Sequence, residues 1–152
     1  MKEFERVGLL VKKNAGKPVR VAIVRALFRG DLTKSMEEVV RALAPELRAQ
    51  ITQTLLARGV LETPFLARHA LHQNDVDAVV VLGAVIRGET DHDFVVVEQA
   101  TSALLDLSLE LGKPVGVGVI GPGVDLDGAK KRVNEYAAGA LDAVVCSWNS
   151  VS

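Results

Sequence analysis

Apolar residues recur along this chain in two alternating patterns. Short runs rich in β-branched residues are apolar at successive positions and predict strands at Arg20 to Ala26, Gln50 to Leu56, Val76 to Leu82 and Val115 to Ile120. Longer stretches repeat an apolar position every three or four residues and predict helices at Leu32 to Leu43, Pro64 to His72, Asp93 to Leu111 and Asp127 to Val145. The first helix gathers Leu32, Met36, Val39, Val40 and Leu43 on one face, with Asp31 or Thr33 as its cap, and Pro45 interrupts or ends it. Pro64 suits a first helical turn, and Gly112 suits a stop just before Lys113 and Pro114.

A run such as DAVVVLG is apolar on both faces, which a strand tolerates when helices cover both sides of a parallel sheet. The expected fold is therefore α/β: a three-layer α/β/α domain with a mainly parallel four-stranded sheet, flavodoxin-like in class. One domain spans residues 1–152, with 1–19 as an N-terminal segment outside the alternation, where Val7 to Val11 is a candidate edge strand. The third helix carries two apolar stripes: Val96, Ala100, Ala103, Leu107 and Leu111, then Val97, Leu105 and Leu109. A single sheet buries only one stripe, so the second calls for another helix, from this chain or from another subunit.

Composition agrees with a packed domain. The 152 residues are 49 % hydrophobic and 24 % charged, enough for a real core and unlike a disordered chain. A net charge of −1 offers no electrostatic case for nucleic acid or an anionic membrane. Near the start, VGLLV is too short for a signal-peptide core, and no segment is long enough to span a bilayer, so a cytoplasmic protein is expected. The single cysteine, Cys146, rules out an internal disulfide or a thiolate zinc cage and is expected to be a packed, inert thiol.

The polar clusters all follow predicted strands. ALFRGD (Ala26 to Asp31) follows the first, GVLETP (Gly59 to Pro64) the second, GETDHD (Gly88 to Asp93) the third and GPG (Gly121 to Gly123) the fourth. In a parallel sheet those strand ends share one edge, where ligands bind. The stretch GAVIRGETDHDF, from Gly83 to Phe94, is the richest in chemistry. Its glycines permit close backbone approach, the amides opening a helix favour an anion, and His92 can move a proton near neutral pH. Read alone, His92 is as well explained as a capping or surface residue.

LGAVIRGETDHD, ALFRGDLT, GVLETP and GVIGPG together make the chain resemble the 6,7-dimethyl-8-ribityllumazine synthase family, its archaeal branch above all, over roughly Arg20 to Val145. That resemblance implies a transferase of riboflavin biosynthesis with no cofactor and no metal. Its substrates are 5-amino-6-ribitylamino-pyrimidinedione and 3,4-dihydroxy-2-butanone 4-phosphate. It also implies a homo-oligomer built on pentamers with active sites shared between adjacent subunits, an icosahedral shell being one further assembly of such pentamers.

By the same resemblance His92 shuttles protons during Schiff base formation and ring closure, and Arg132 binds the phosphate, with Gly88, Glu89 and Thr90 lending amides and a hydroxyl. Phe28 stacks on the pyrimidine, Glu62 faces the ribityl chain, and Val60, Leu61, Val85 and Ile86 line the pocket. Plainer readings stand beside these: an exposed helix arginine next to Lys130 and Lys131, a tight turn at Gly88 to Thr90, core packing for Phe28, and a charge complementing a helix dipole for Glu62. His69 and His72 are expected to be solvated.

The chain departs from the family at several points. Arg29 stands where Asn is common, and it either narrows the pyrimidine pocket or turns to solvent. Leu61 replaces an aromatic, Val117 stands where bacterial members often have an aromatic from a neighbouring subunit, and Ala137, Ala138 and Gly139 offer no counterpart to a lysine. Competing readings are an archaeal-type riboflavin synthase, a catalytically impaired ligand-binding or shell-forming homologue, and an unrelated flavodoxin-like binding domain.

Overall fold

The computed structural model describes residues 17–88 and 90–152. In chain order these form β1 (Val19–Ala26), α1 (Gly30–Leu43), β2 (Ala49–Ala57), a short 3-10 turn (Val60–Glu62), α2 (Thr63–Leu71), β3 (Ala78–Ile86), α3 (His92–Leu111), β4 (Val115–Val124) and α4 (Leu126–Val151). The strands make one parallel sheet in the order β2-β1-β3-β4. Alternate residues of β1 feed opposite faces. Val19, Val21 and Ile23 join Met36 and Val40 of α1 and Leu141 and Val144 of α4 on one side. Ala22, Val24 and Ala26 join Ala67 and Leu71 of α2 and Ala100 and Leu104 of α3 on the other. The expected three-layer α/β/α arrangement is thus the one the chain adopts, and the run Ala78 to Leu82 is fully buried because both faces are covered.

The winding decides where a site can lie. From β1 the chain crosses outward to β2, then returns to place β3 on the other flank of β1 and continues to β4. The crossovers after β1 and β3 therefore diverge, opening a crevice beyond the ends of these two central strands.

Several boundaries differ from the sequence expectation, each for a local reason. Neither Asp31 nor Thr33 caps α1. Arg29 occupies that position in a left-handed conformation (φ 57°), its carbonyl accepts the N–H groups of Leu32 and Thr33, and the Thr33 hydroxyl donates to the Ala26 carbonyl at 2.7 Å. β3 begins at Ala78 because the Val76 N–H turns back to the Gln73 carbonyl, and it runs on to Ile86 because Gly83, Ala84 and Ile86 stay paired with β4. β4 likewise continues through Gly121, Pro122 and Gly123, an edge-strand position where a proline without an N–H is tolerated. α4 extends to Val151, since Cys146 and Trp148 pack on the core and Asn149 and Ser150 bond back to carbonyls four residues earlier.

Of the two stripes on α3, Val96, Val97, Leu107 and Leu111 pack against the sheet, whereas Leu105 and Leu109 are 53 % and 82 % exposed. Leu104, in neither stripe, is fully buried. Among the described residues no helix is long and apolar enough to cross a membrane. The candidate strand at Val7 to Val11 lies outside the described residues.

Candidate active site

The crevice at the sheet edge is a cleft of about 550 Å³. Its first wall comes from the segment after β1. The Leu27 and Phe28 N–H groups donate to the carbonyls of Ala57 and Arg58 at 2.7 and 3.1 Å, which fastens this segment to the end of β2. Phe28 is thereby presented to the cleft with 69 % of its surface exposed, so it is no core residue. Arg29 follows, half-buried and also lining the cleft. Its left-handed backbone is a conformation that Asn adopts more readily than Arg.

The second wall is the turn Val60–Glu62. The Thr63 hydroxyl donates to the Val60 carbonyl at 2.6 Å, closing the turn, and Val60 is pressed against the sheet at Gly83. A Cβ at Gly83 would lie 2.6 Å from a Val60 methyl, so only glycine there lets the turn approach so closely. Leu61 and Glu62 are exposed and line the cleft. Glu62 occupies the N-cap position of α2 without a side-chain capping bond, which leaves its carboxylate available to a ligand.

The floor and far wall come from the end of β3 and the start of α3. Val85 and Ile86 are half-buried in the cleft, and the Arg87 N–H donates to the Val124 carbonyl at 2.8 Å, tying this segment to β4. Gly88 and Thr90 are exposed at its mouth. Glu89 lies outside the described residues. His92 is the first residue of α3 and is exposed, its N–H donating to the Thr90 hydroxyl at 3.3 Å. Asp93 beside it is only 5 % exposed. One of its oxygens, Oδ2, accepts the Gly123 N–H at 2.9 Å, and Oδ1 has no partner among the described residues. Among the described residues no group of three His, Cys, Asp or Glu side chains is placed to share a metal ion.

The fold thus brings Phe28, Arg29, Val60, Leu61 and Glu62 together with Val85, Ile86, Gly88, Thr90 and His92 around one space. Two expected site residues lie elsewhere. Val117, on the edge strand, faces a separate hollow of about 370 Å³ shared with Glu135, Tyr136 and Gly139. Arg132 is half-buried on α4, its guanidinium donating to the Gly128 carbonyl at 2.9 Å. His69 and His72 are exposed, outside the cleft. The cleft also includes Gly59, Arg87, Asp93 and Val96, to which the sequence reading assigned no role in the site. An aspartate in the first turn of a helix reads from sequence as a dipole-compensating surface charge, and only its burial marks Asp93 as different.

Known proteins resemble this chain over most of its length. The family model described as 6,7-dimethyl-8-ribityllumazine synthase matches residues 18–151. Three proteins bearing that name are similar over most of their length. The chain is 44 % identical over 133 residues to one of Aeropyrum pernix, the match covering 87 % of this chain and 90 % of that one. It is 44 % identical over 127 residues to one of Pyrobaculum arsenaticum, covering 84 % and 85 %. It is 42 % identical over 127 residues to one of Methanosarcina mazei, covering 84 % and 94 %. The chain belongs to the 6,7-dimethyl-8-ribityllumazine synthase family.

Proposed function

We infer that this protein is a transferase of riboflavin biosynthesis that condenses 5-amino-6-ribitylamino-pyrimidinedione with 3,4-dihydroxy-2-butanone 4-phosphate, releasing phosphate and water as the second ring closes. The observation that carries the reading is the convergence of Phe28, Glu62 and His92, from three separate segments, on one cleft. Phe28 offers a flat apolar face to the pyrimidine, and Glu62 accepts hydrogen bonds from ribityl hydroxyls. The exposed turn at Gly88 and Thr90, beside the start of α3, receives the phosphate, where amide N–H groups favour an anion. His92 takes and returns protons as the Schiff base forms and the ring closes. Holding two reactants in register supplies much of the acceleration.

Arg132 and Val117, which lie away from the cleft of their own chain, serve the cleft of an adjacent subunit in a homo-oligomer built on pentamers. The exposed Leu105 and Leu109 on α3 support such an assembly, because they leave an apolar stripe uncovered. The protein works in the cytoplasm. Mixing the purified protein with both substrates tests the reading directly. Growth of lumazine absorbance and fluorescence is expected, and their absence from a correctly assembled protein would favour a homologue that binds without catalysing.

A further inference from the structure

Asp93 is the buried ionisable side chain of the cleft that none of the roles above uses. It sits in the first turn of α3, one residue after His92, and is 5 % exposed. Its Oδ2 accepts the Gly123 N–H at 2.9 Å, joining residues thirty positions apart and bridging the start of α3 to the end of β4. Among the described residues its buried Oδ1 has no hydrogen-bond partner. A buried carboxylate one residue from His92 and bonded to the end of another strand is placed to set where that histidine sits. His92 beside it is exposed, and its backbone N–H donates to the Thr90 hydroxyl at 3.3 Å. Asp93 thus straps this end of α3 to the end of β4, and the Phe94 ring lies near Gly123 as well.

We propose that Asp93 is a positioning residue for proton transfer: by strapping the first turn of α3 to Gly123 it fixes where the His92 imidazole meets the reacting atoms. The bond needs only an oxygen at that place to accept the Gly123 N–H. The inference rests on the synthase reading and deepens it, since it concerns the placing of the proton shuttle and not the choice of substrate. A catalytic group displaced by about 1 Å loses on the order of a hundredfold in rate, whereas the walls that bind the pyrimidine, at Phe28 and Glu62, are untouched by the strap.

Two substitutions separate this from a merely structural role. Asp93→Asn keeps a carbonyl oxygen to accept the Gly123 N–H and is expected to retain kcat within about threefold of the parent, while Asp93→Ala, with no acceptor, is expected to lose roughly ten- to a hundredfold. KM for both substrates should stay within about twofold in each variant. Asp93→Ser, polar but too short to reach Gly123 in the same way, replaces the alanine variant if that one fails to assemble. Amide hydrogen exchange supplies a readout besides activity: Gly123 should be protected in the parent and in Asp93→Asn but not in Asp93→Ala or Asp93→Ser. Parental kcat in Asp93→Ala would overturn the proposal, as would equal damage in Asn and Ala. A rise in KM at unchanged kcat would make Asp93 a substrate ligand instead. A parent that forms no lumazine would sink the synthase reading and this inference together, whereas an active parent with a fully active Asp93→Ala sinks the inference alone.

Discussion

Removing the His92 imidazole takes away the proposed proton shuttle, but none of the wall built by Phe28, Leu61 and Val85. His92→Ala should therefore lower kcat by on the order of a hundredfold to a few thousandfold while pyrimidine binding stays nearly intact, and full activity across pH 6 to 8 would refute the assignment. Arg132→Ala should instead raise KM for the butanone phosphate and weaken binding of inorganic phosphate, because a charged hydrogen-bond donor worth roughly 1.5 to 3 kcal/mol is lost. Unchanged phosphate binding would place the anion elsewhere. Arg29→Asn is a clean probe of the same cleft, since Asn accepts the left-handed backbone at that position without new strain. It should change affinity for the pyrimidine more than for the phosphate substrate; equal affinities before and after would mean that Arg29 faces solvent. Far from the cleft, burial and the neighbouring Asp142 push the Cys146 thiol up to about 11. At pH 8 roughly one molecule in a thousand would carry the thiolate, so alkylation by iodoacetamide should be far slower than for a free cysteine.

At the scale of elements, the site depends on how closely its segments approach the sheet. Gly83→Ala would drive a Cβ into the Val60 methyl at 2.6 Å, forcing the Val60–Glu62 turn outward. A loss of about 1 to 3 kcal/mol is expected, read as a lower denaturant midpoint, together with weaker pyrimidine binding. A second clamp lies at the opposite edge, where Arg20 on β1 bonds both Asp77 oxygens just before β3 at 2.9 and 3.1 Å. Burial pushes the Asp77 carboxyl up, but the side-chain and backbone bonds and the charge of Arg20 outweigh it, and the net shift is downward. Glu37 behaves alike: burial opposes, and bonds from Arg41, Thr54 and Arg25 prevail. For both groups the folded value lies below the unfolded one, so their stabilisation is complete above the ordinary carboxylate range near pH 4 and is lost as pH falls through the lowered values. Asp77→Asn should therefore flatten the acid limb of a stability-against-pH curve, and an unaltered limb would show that the clamp contributes nothing.

For the whole molecule, the division of expected site residues between the cleft and the outer surface of the same chain leads to a test of shared sites. If Arg132 serves a neighbour's cleft, His92→Ala and Arg132→Ala subunits refolded together should regain activity, because some interfaces then pair an intact His92 with an intact Arg132. Random mixing in equal amounts restores about a quarter of the sites in a cyclic assembly. A mixture no more active than its parts would place both residues in one subunit's site. Mass in solution gives the simpler check, with a stable monomer of 16.2 kDa counting against any pentamer. Replacing Leu105 and Leu109 together by Glu should weaken the assembly if the exposed stripe of α3 is an interface.

Periodicity alone carried the alternation of strands and helices, because runs such as AVVVL and the spacing of Leu32, Met36 and Val40 are set by local burial needs that any parallel sheet imposes. The motifs after each strand carried most of the cleft, since strand ends in such a sheet must share one edge. What the sequence could not carry were relations between distant residues. The left-handed Arg29, the proline-containing end of β4 and the extra length of α4 depend on neighbours supplied by other elements. Asp93 is the clearest case: a charged letter in a helix start is normally solvated, and only the return of β4 to offer the Gly123 N–H makes it a buried strap. Likewise the placing of Val117 and Arg132 outside the cleft follows from which edge β4 occupies and which face α4 covers, and those are settled by the packing of the whole sheet rather than by any local run of residues.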